Sequence, residues 1–252
     1  MNRQKIQIIL VFVALLGLAA STAFAQSAKK KGYQAQIVKN GGTIVGVVHY
    51  DGPTPTPQRV DVKTKEDICH ADPIYSEELV VSDDKEVQWA VVSIKGIRLG
   101  KPFAKPAEDK DKPTIDQIGC RFEPHIAVVG LGQPLKVLNS DGILHNVHTY
   151  SKKNRPKNIA MPGVIKETKL KFRRPEHIKV KCDIHPWMVA YIVVAEHPYY
   201  EVTDEKGAFE LNDVPPGTYT LSLWHETLGQ VTQQVTVKPG EEARVEFTLS
   251  AK

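Results

Sequence analysis

The chain is 252 residues long, with 33 Lys and Arg against 29 Asp and Glu, a formal net charge of +4, and nine histidines. So small a positive excess excludes a nucleic-acid-binding protein of the strongly basic kind. At about 100–150 residues per domain, the length accommodates one large or two small domains, and two are expected.

Residues 1–25 read as a secretory signal. Arg3 and Lys5 precede an apolar run over residues 6–20 broken only by Gln7 and Gly17, and Ala23-Phe24-Ala25 supplies the small-x-small pattern that signal peptidase reads. The run is short for a bilayer, so removal is expected and no stable membrane span should remain. Cleavage removes two of the 33 cations and no acid, and 31 against 29 leaves +2. The mature chain is expected in the periplasm or outside the cell. Residues 26–32 are small, polar and lysine-rich, a flexible leader.

From there, short β-branched runs alternate with Gly, Pro, Asn and Asp, which is the pattern of an all-β sandwich or barrel. Such runs fall at 43–48, 88–94, 126–129, 135–138 and 178–180, and no long helical period competes with them. Residues 51–58 hold three prolines, and residues 101–113 mix proline with alternating charge; neither composition builds a core. The second stretch is a candidate domain boundary.

Cysteines occur only at 69, 120 and 182. An oxidising compartment favours pairing two of them. If Cys182 is a metal ligand, Cys69 and Cys120 are the natural pair, because a disulfide through Cys182 would remove the thiolate; sequence alone leaves the connectivity open. Cys69-His70 lacks the second cysteine of a c-type haem attachment.

The chemistry concentrates in Cys182-Asp183-Ile184-His185-Pro186-Trp187-Met188 and in Leu144-His145-Asn146-Val147-His148. A thiolate, two imidazoles and a weak axial thioether form the ligand set of a copper electron-transfer site. Cys182, His185 and Met188 recur every three residues, a spacing that would scatter them over both faces of a strand but can converge in a tight loop. Pro186, which lacks an N–H, supports the loop. His145 follows the turn Asn139-Ser140-Asp141-Gly142 and is the best fourth ligand, with Asn146 placed to link the two ligand segments by hydrogen bonds. His148 points to the opposite face from His145 and reads as structural or superficial. His125, after Pro124, also reads as structural, with a second metal site near Cys120 as the sharper alternative.

Together Leu144-His145-Asn146-Val147-His148 and Cys182-x-x-His185-Pro186-x-Met188 resemble the cupredoxins, with the short ligand loop of amicyanin and its plastocyanin and pseudoazurin relatives. Phe122-x-Pro124 and Gly132-Gln133-Pro134-Leu135 fit that family's early strands. The resemblance implies a Greek-key barrel and one mononuclear type 1 copper, with His145, Cys182 and His185 equatorial and Met188 axial. It also implies an electron exit through His185 at an apolar docking patch including Pro186 and Trp187. A redox protein partner follows, and the basic stretch Lys152-Lys153-Asn154-Arg155-Pro156-Lys157 would steer an acidic one.

The C-terminal part has a hairpin signal at Asp204-Glu205-Lys206-Gly207 and a second tight turn at Pro215-Pro216-Gly217. With the early Gly42-Thr43-Ile44-Val45-Gly46-Val47, these resemble the carboxypeptidase-regulatory-like, prealbumin-type sandwich. The expected organisation is a sandwich of residues 33–104 with 198–250, interrupted by a cupredoxin-like copper domain at 105–197. The expected function is single-electron carriage by Cu(II)/Cu(I) cycling. Copper binding or delivery without fast cycling is one alternative, and a carbohydrate- or partner-binding sandwich with a non-redox barrel is another. No enzyme is expected: Lys181 and Asp183 flank Cys182 where a coupled catalytic copper would need histidines, and no Gly-x-Ser-x-Gly or His-Glu-x-x-His occurs.

Overall fold

A computed structural model describes residues 32–251. The signal sequence read at 1–25 lies outside them. Among the described residues nearly all regular structure is strand, as the alternating pattern predicts, with short 3-10 turns only at Asp67–His70 and Asp109–Asp111. None of their helices is long and apolar enough to cross a membrane.

Nine strands between residues 114 and 195 make the barrel. One sheet orders Lys157–Met161, His145–Tyr150, Glu176–Lys181, Val189–Ala195 and Ile126–Gly130; the other orders Glu167–Lys171, Pro134–Asn139, Thr114–Ile118 and Arg121–Glu123. The chain crosses repeatedly between the sheets, so four of the seven strand pairs join strands that are not consecutive, as in a Greek key. Period-two alternation sends Ile178 and Val180 inward and leaves Lys179 and Lys181 partly exposed. Leu135, Val137, Leu170, Phe122 and Ile192 close the core from the remaining strands.

Strands from both sides of this barrel in the sequence build one sandwich. Gly42–Asp51 pairs parallel with Glu242–Ser250 and antiparallel with Ala208–Val214. The facing sheet orders Tyr200–Val202, Val91–Ile94, Gly217–His225 and Gly229–Val237. Ile44, Val48, Phe209, Leu211, Leu221, Leu223 and Phe247 fill the space between them. A third apolar cluster, Val91, Ile126 and Val193 with Trp89, Tyr191 and Trp224, packs the barrel against the sandwich.

Three details differ from the sequence reading. Residues 33–104 do not all serve the sandwich, because Val60, Val62, Cys69 and Ile74 pack into the barrel core, tied there by a Cys69–Cys120 disulfide. The turn at residues 204–207 is tight, with Gly207 at φ +62 and its N–H donating to the Asp204 carbonyl at 3.0 Å, but it is no hairpin. It is a corner: the strands it joins, Tyr200–Val202 and Ala208–Val214, lie in different sheets. The run at 88–94 forms ladder only over Val91–Ile94, and Trp89 takes φ +64 ahead of it.

Candidate metal centre

The Glu176–Lys181 strand delivers Cys182, and Val189–Ala195 leads away on the adjacent ladder, so the six intervening residues must close a tight loop. The Cys182 N–H donates to the Met188 carbonyl at 3.2 Å and the Met188 N–H to the His185 carbonyl at 2.9 Å. The His185 N–H donates to Cys182 Sγ at 3.4 Å. This closed loop replaces the alternation of a strand, so residues three apart share one side. His145 opens the His145–Tyr150 strand, which pairs with Glu176–Lys181 through Lys181 and His148.

His145, Cys182 and His185 therefore converge. Cys182 Sγ lies 3.9 Å from His145 Nδ1 and 3.8 Å from His185 Nδ1, and the two Nδ1 atoms are 2.9 Å apart. Bonds of about 2.0–2.3 Å to one ion at trigonal angles would hold such atoms roughly 3.5–3.8 Å apart, so the donor set fits a single borderline ion after a small opening of the histidine pair. Cys182 and His145 have no exposed surface, and His185 is 2% exposed. Met188, 1% exposed, belongs to the same core as Cys182.

The electrostatics favour the ligand forms. Burial works against ionising Cys182, but hydrogen bonds from His145 and from backbone N–H groups outweigh it and lower the thiol pKa. Burial, then the neighbouring His145 charge, lowers that of His185 and keeps it neutral. His145 goes the other way: burial opposes its charge, yet the Asp141 carboxylate and Cys182 push it up to about 9.

Asp141 is the residue that sequence reasoning missed. Its side chain is 1% exposed, and Oδ2 faces His145 Nε2 at 2.8 Å. The same carboxylate accepts the N–H groups of Gly119 at 2.6 Å and Cys120 at 2.9 Å. It thus fixes the ring and aims Nδ1 at the centre, the orienting role that carboxylates play behind metal-binding histidines. The available signal was its i,i+4 spacing from His145, which the Asn-Ser-Asp-Gly turn reading masked. Asn146 links the two ligand segments: its Oδ1 accepts the Asp183 N–H at 2.6 Å and its Nδ2 donates to Asp183 Oδ2 at 2.9 Å. His148, off the centre, holds the same Asp183 through Nδ1 at 3.0 Å.

The surroundings depart from an open docking face. Pro186 is exposed, but Trp187 is half-buried and its Nε1–H donates to the Cys120 carbonyl at 3.1 Å. Glu66 acts electrostatically on His185, and residues 60 and 74–78 face Pro186 to Val189 across a cavity of 220 Å³. The segment carrying Cys69 thus borders the ligand loop. The basic stretch 152–157 lies at the far end of the His145–Tyr150 strand, where Lys157 pairs with Thr149, about 13 Å along the strand from His145 at 3.3 Å per residue.

The carboxypeptidase regulatory-like domain family matches residues 188–250. No curated protein sequence matches the chain. Among solved structures, an oxidized mutant of amicyanin is 20% identical over 41% of this chain and 98% of its own, with a TM-score of 0.31. A purple cupredoxin from Nitrosopumilus maritimus is 17% identical over 33% of this chain and 100% of its own, at 0.30. A copper-containing nitrite reductase from Thermus scotoductus SA-01 is 19% identical over 38% of this chain, at 0.31, and the chain spans only 25% of its length. By strand order the chain joins a nine-stranded barrel to a two-sheet sandwich, and the carboxypeptidase regulatory-like match begins at the barrel's last strand and runs through the C-terminal strands of the sandwich.

Proposed function

We propose that this chain is a periplasmic or secreted copper protein that carries single electrons between redox partners. The observation that carries the reading is the convergence of Cys182 Sγ with His145 Nδ1 and His185 Nδ1 within 3.9 Å inside a rigid barrel. Bound there, copper supplies a one-electron couple, Cu(II)/Cu(I). The protein's part is to hold a thiolate and two imidazoles in one geometry, to place Met188 beside them in the core, and to exclude water. Buried ligands braced by Asp141 and Asn146 rearrange little between oxidation states. A carrier rather than an enzyme is supported by the flanks of Cys182, Lys181 and Asp183, which provide no histidine bridge to a second catalytic ion.

One observation favours the second reading, copper holding or delivery. His185 is 2% exposed, whereas fast exchange at the expected Pro186 and Trp187 face would call for an accessible imidazole. Titration of the mature protein with Cu(II) separates the two. Carriage predicts one equivalent whose uptake raises an intense visible thiolate band, and Cys182→Ser loses that equivalent together with the band. Stoichiometric but colourless binding supports delivery, and no stoichiometric binding overturns both.

A further inference from the structure

A second convergence of buried titratable groups lies where the barrel, residues 74–78 and the sandwich meet. His125 is 2% exposed. Its Nε2 makes a short hydrogen bond to Glu226 Oε1, and that glutamate side chain is only 6% exposed. When Nε2 alone is protonated and donates to Glu226, Nδ1 offers a lone pair. Nδ1 is buried with no hydrogen-bond partner and faces Glu77 Oε2 at 3.9 Å.

Two acceptors facing each other across a gap that is closed on the His125 side and part-open at Glu77 repel unless something positive lies between them. A proton is a poor fit, since N–H···O hydrogen bonds span about 2.7–3.2 Å. A metal ion is a better one: bonds of about 2.0–2.2 Å on each side reach at most about 4.2 Å, and the observed gap falls inside that limit. Glu226 then stands where carboxylates stand behind metal-binding histidines. The adjoining 220 Å³ cavity, lined by Ser76 and Glu78 as well as by His125, Glu77 and Met188, has room for several waters at about 30 Å³ each. Arg121 lines the same cavity and acts electrostatically on Glu77, while its guanidinium also lies 3.9 Å from Glu123.

We propose that His125 Nδ1 and Glu77 bind a borderline divalent cation, Zn(II) or Cu(II), with Glu226 orienting the imidazole and cavity waters completing the coordination. The two ligands and the orienting Glu226 come from three parts of the chain, so the ion would fasten residues 74–78 to the barrel, and through Glu226 to the sandwich, beside the Cys182 centre without sharing a ligand with it.

The test is a calorimetric titration of metal-free mature protein with Zn(II) alone, followed by thermal melting with and without the metal. Wild type should take up two equivalents, Glu77→Gln and His125→Gln one, and Cys182→Ser should keep the equivalent that those variants lose. Glu226→Gln should retain that equivalent with an affinity roughly 10–100-fold weaker. Zn(II) should raise the melting temperature of Cys182→Ser but not of Cys182→Ser combined with Glu77→Gln. Glu77 is part-exposed, so its variant reports even where His125→Gln fails to fold. If Glu77→Gln binds as much Zn(II) as wild type, the site is overturned, while an unchanged Cys182→Ser would overturn only the Cys182 centre.

Discussion

Asp141 turns a pair of histidines and a cysteine into a site with a defined direction. Its carboxylate holds His145 Nε2 at 2.8 Å and is itself kept ionised, against the cost of burial, by His145 and by the Cys120 and Gly119 N–H groups. Replacing it by Asn keeps the volume but removes the charge, so the imidazole loses basicity and a preferred orientation. Copper affinity should fall by roughly 10–100-fold in Asp141→Asn, measured by competition with a calibrated chelator, while the fold is retained. Unchanged affinity would show that His145 is oriented by packing alone. The cluster of His145, Cys182 and His185 was legible in the sequence because soft and borderline donors at such spacing are chemically distinctive. Asp141 was not, because an aspartate in an Asn-Ser-Asp-Gly stretch already has a local explanation as a turn residue. Only the fold brings Gly119 and Cys120 to its other face.

Among the elements, the segment carrying Cys69 is the least expected. Nothing in its proline-rich, charged sequence announces that Val60, Val62 and Ile74 would pack into the barrel core, since apolar residues this sparse show no period. The Cys69–Cys120 bond closes a loop of 51 residues of separation, and chain-entropy reasoning gives such a bridge about 4 kcal/mol. Cys69→Ala with Cys120→Ala should therefore lower urea-unfolding stability by about 2–4 kcal/mol and open the ligand loop to solvent. Loss below about 1 kcal/mol would mean that packing alone holds the segment. Strand existence was readable from period-two patterning, as at Ile178 and Val180, but strand partnership was not. Residues 204–207 turn sharply in either case, and whether they make a hairpin or a corner between sheets depends on the partners Gly42–Asp51 and Val91–Ile94, more than a hundred residues earlier.

At the scale of the whole molecule, two buried histidines in the sandwich region tie stability to pH. Burial lowers His197 and His225 to about 4, and each is 1% exposed. A histidine held below its unfolded value of about 6.5 contributes stability that is fully present above that value and is lost as pH falls towards 4, because the unfolded chain takes up the proton first. The loss is on the order of 3 kcal/mol for each by pH 4. Melting temperature should therefore decline between pH 6.5 and 4, and less steeply in His225→Gln. A decline confined to below pH 4 would assign the acid sensitivity to carboxylates instead. The same architecture holds the barrel against the sandwich through Trp89, Tyr191 and Trp224. The central claim, a single copper on Cys182, His145 and His185 that cycles by one electron, is tested most directly by carrying the Cu(II)-loaded protein through reductive and oxidative titration while recording the thiolate band. The band should bleach with one electron per copper and return fully on reoxidation. A band that bleaches only with loss of copper, or stoichiometric copper with no thiolate band, would contradict it.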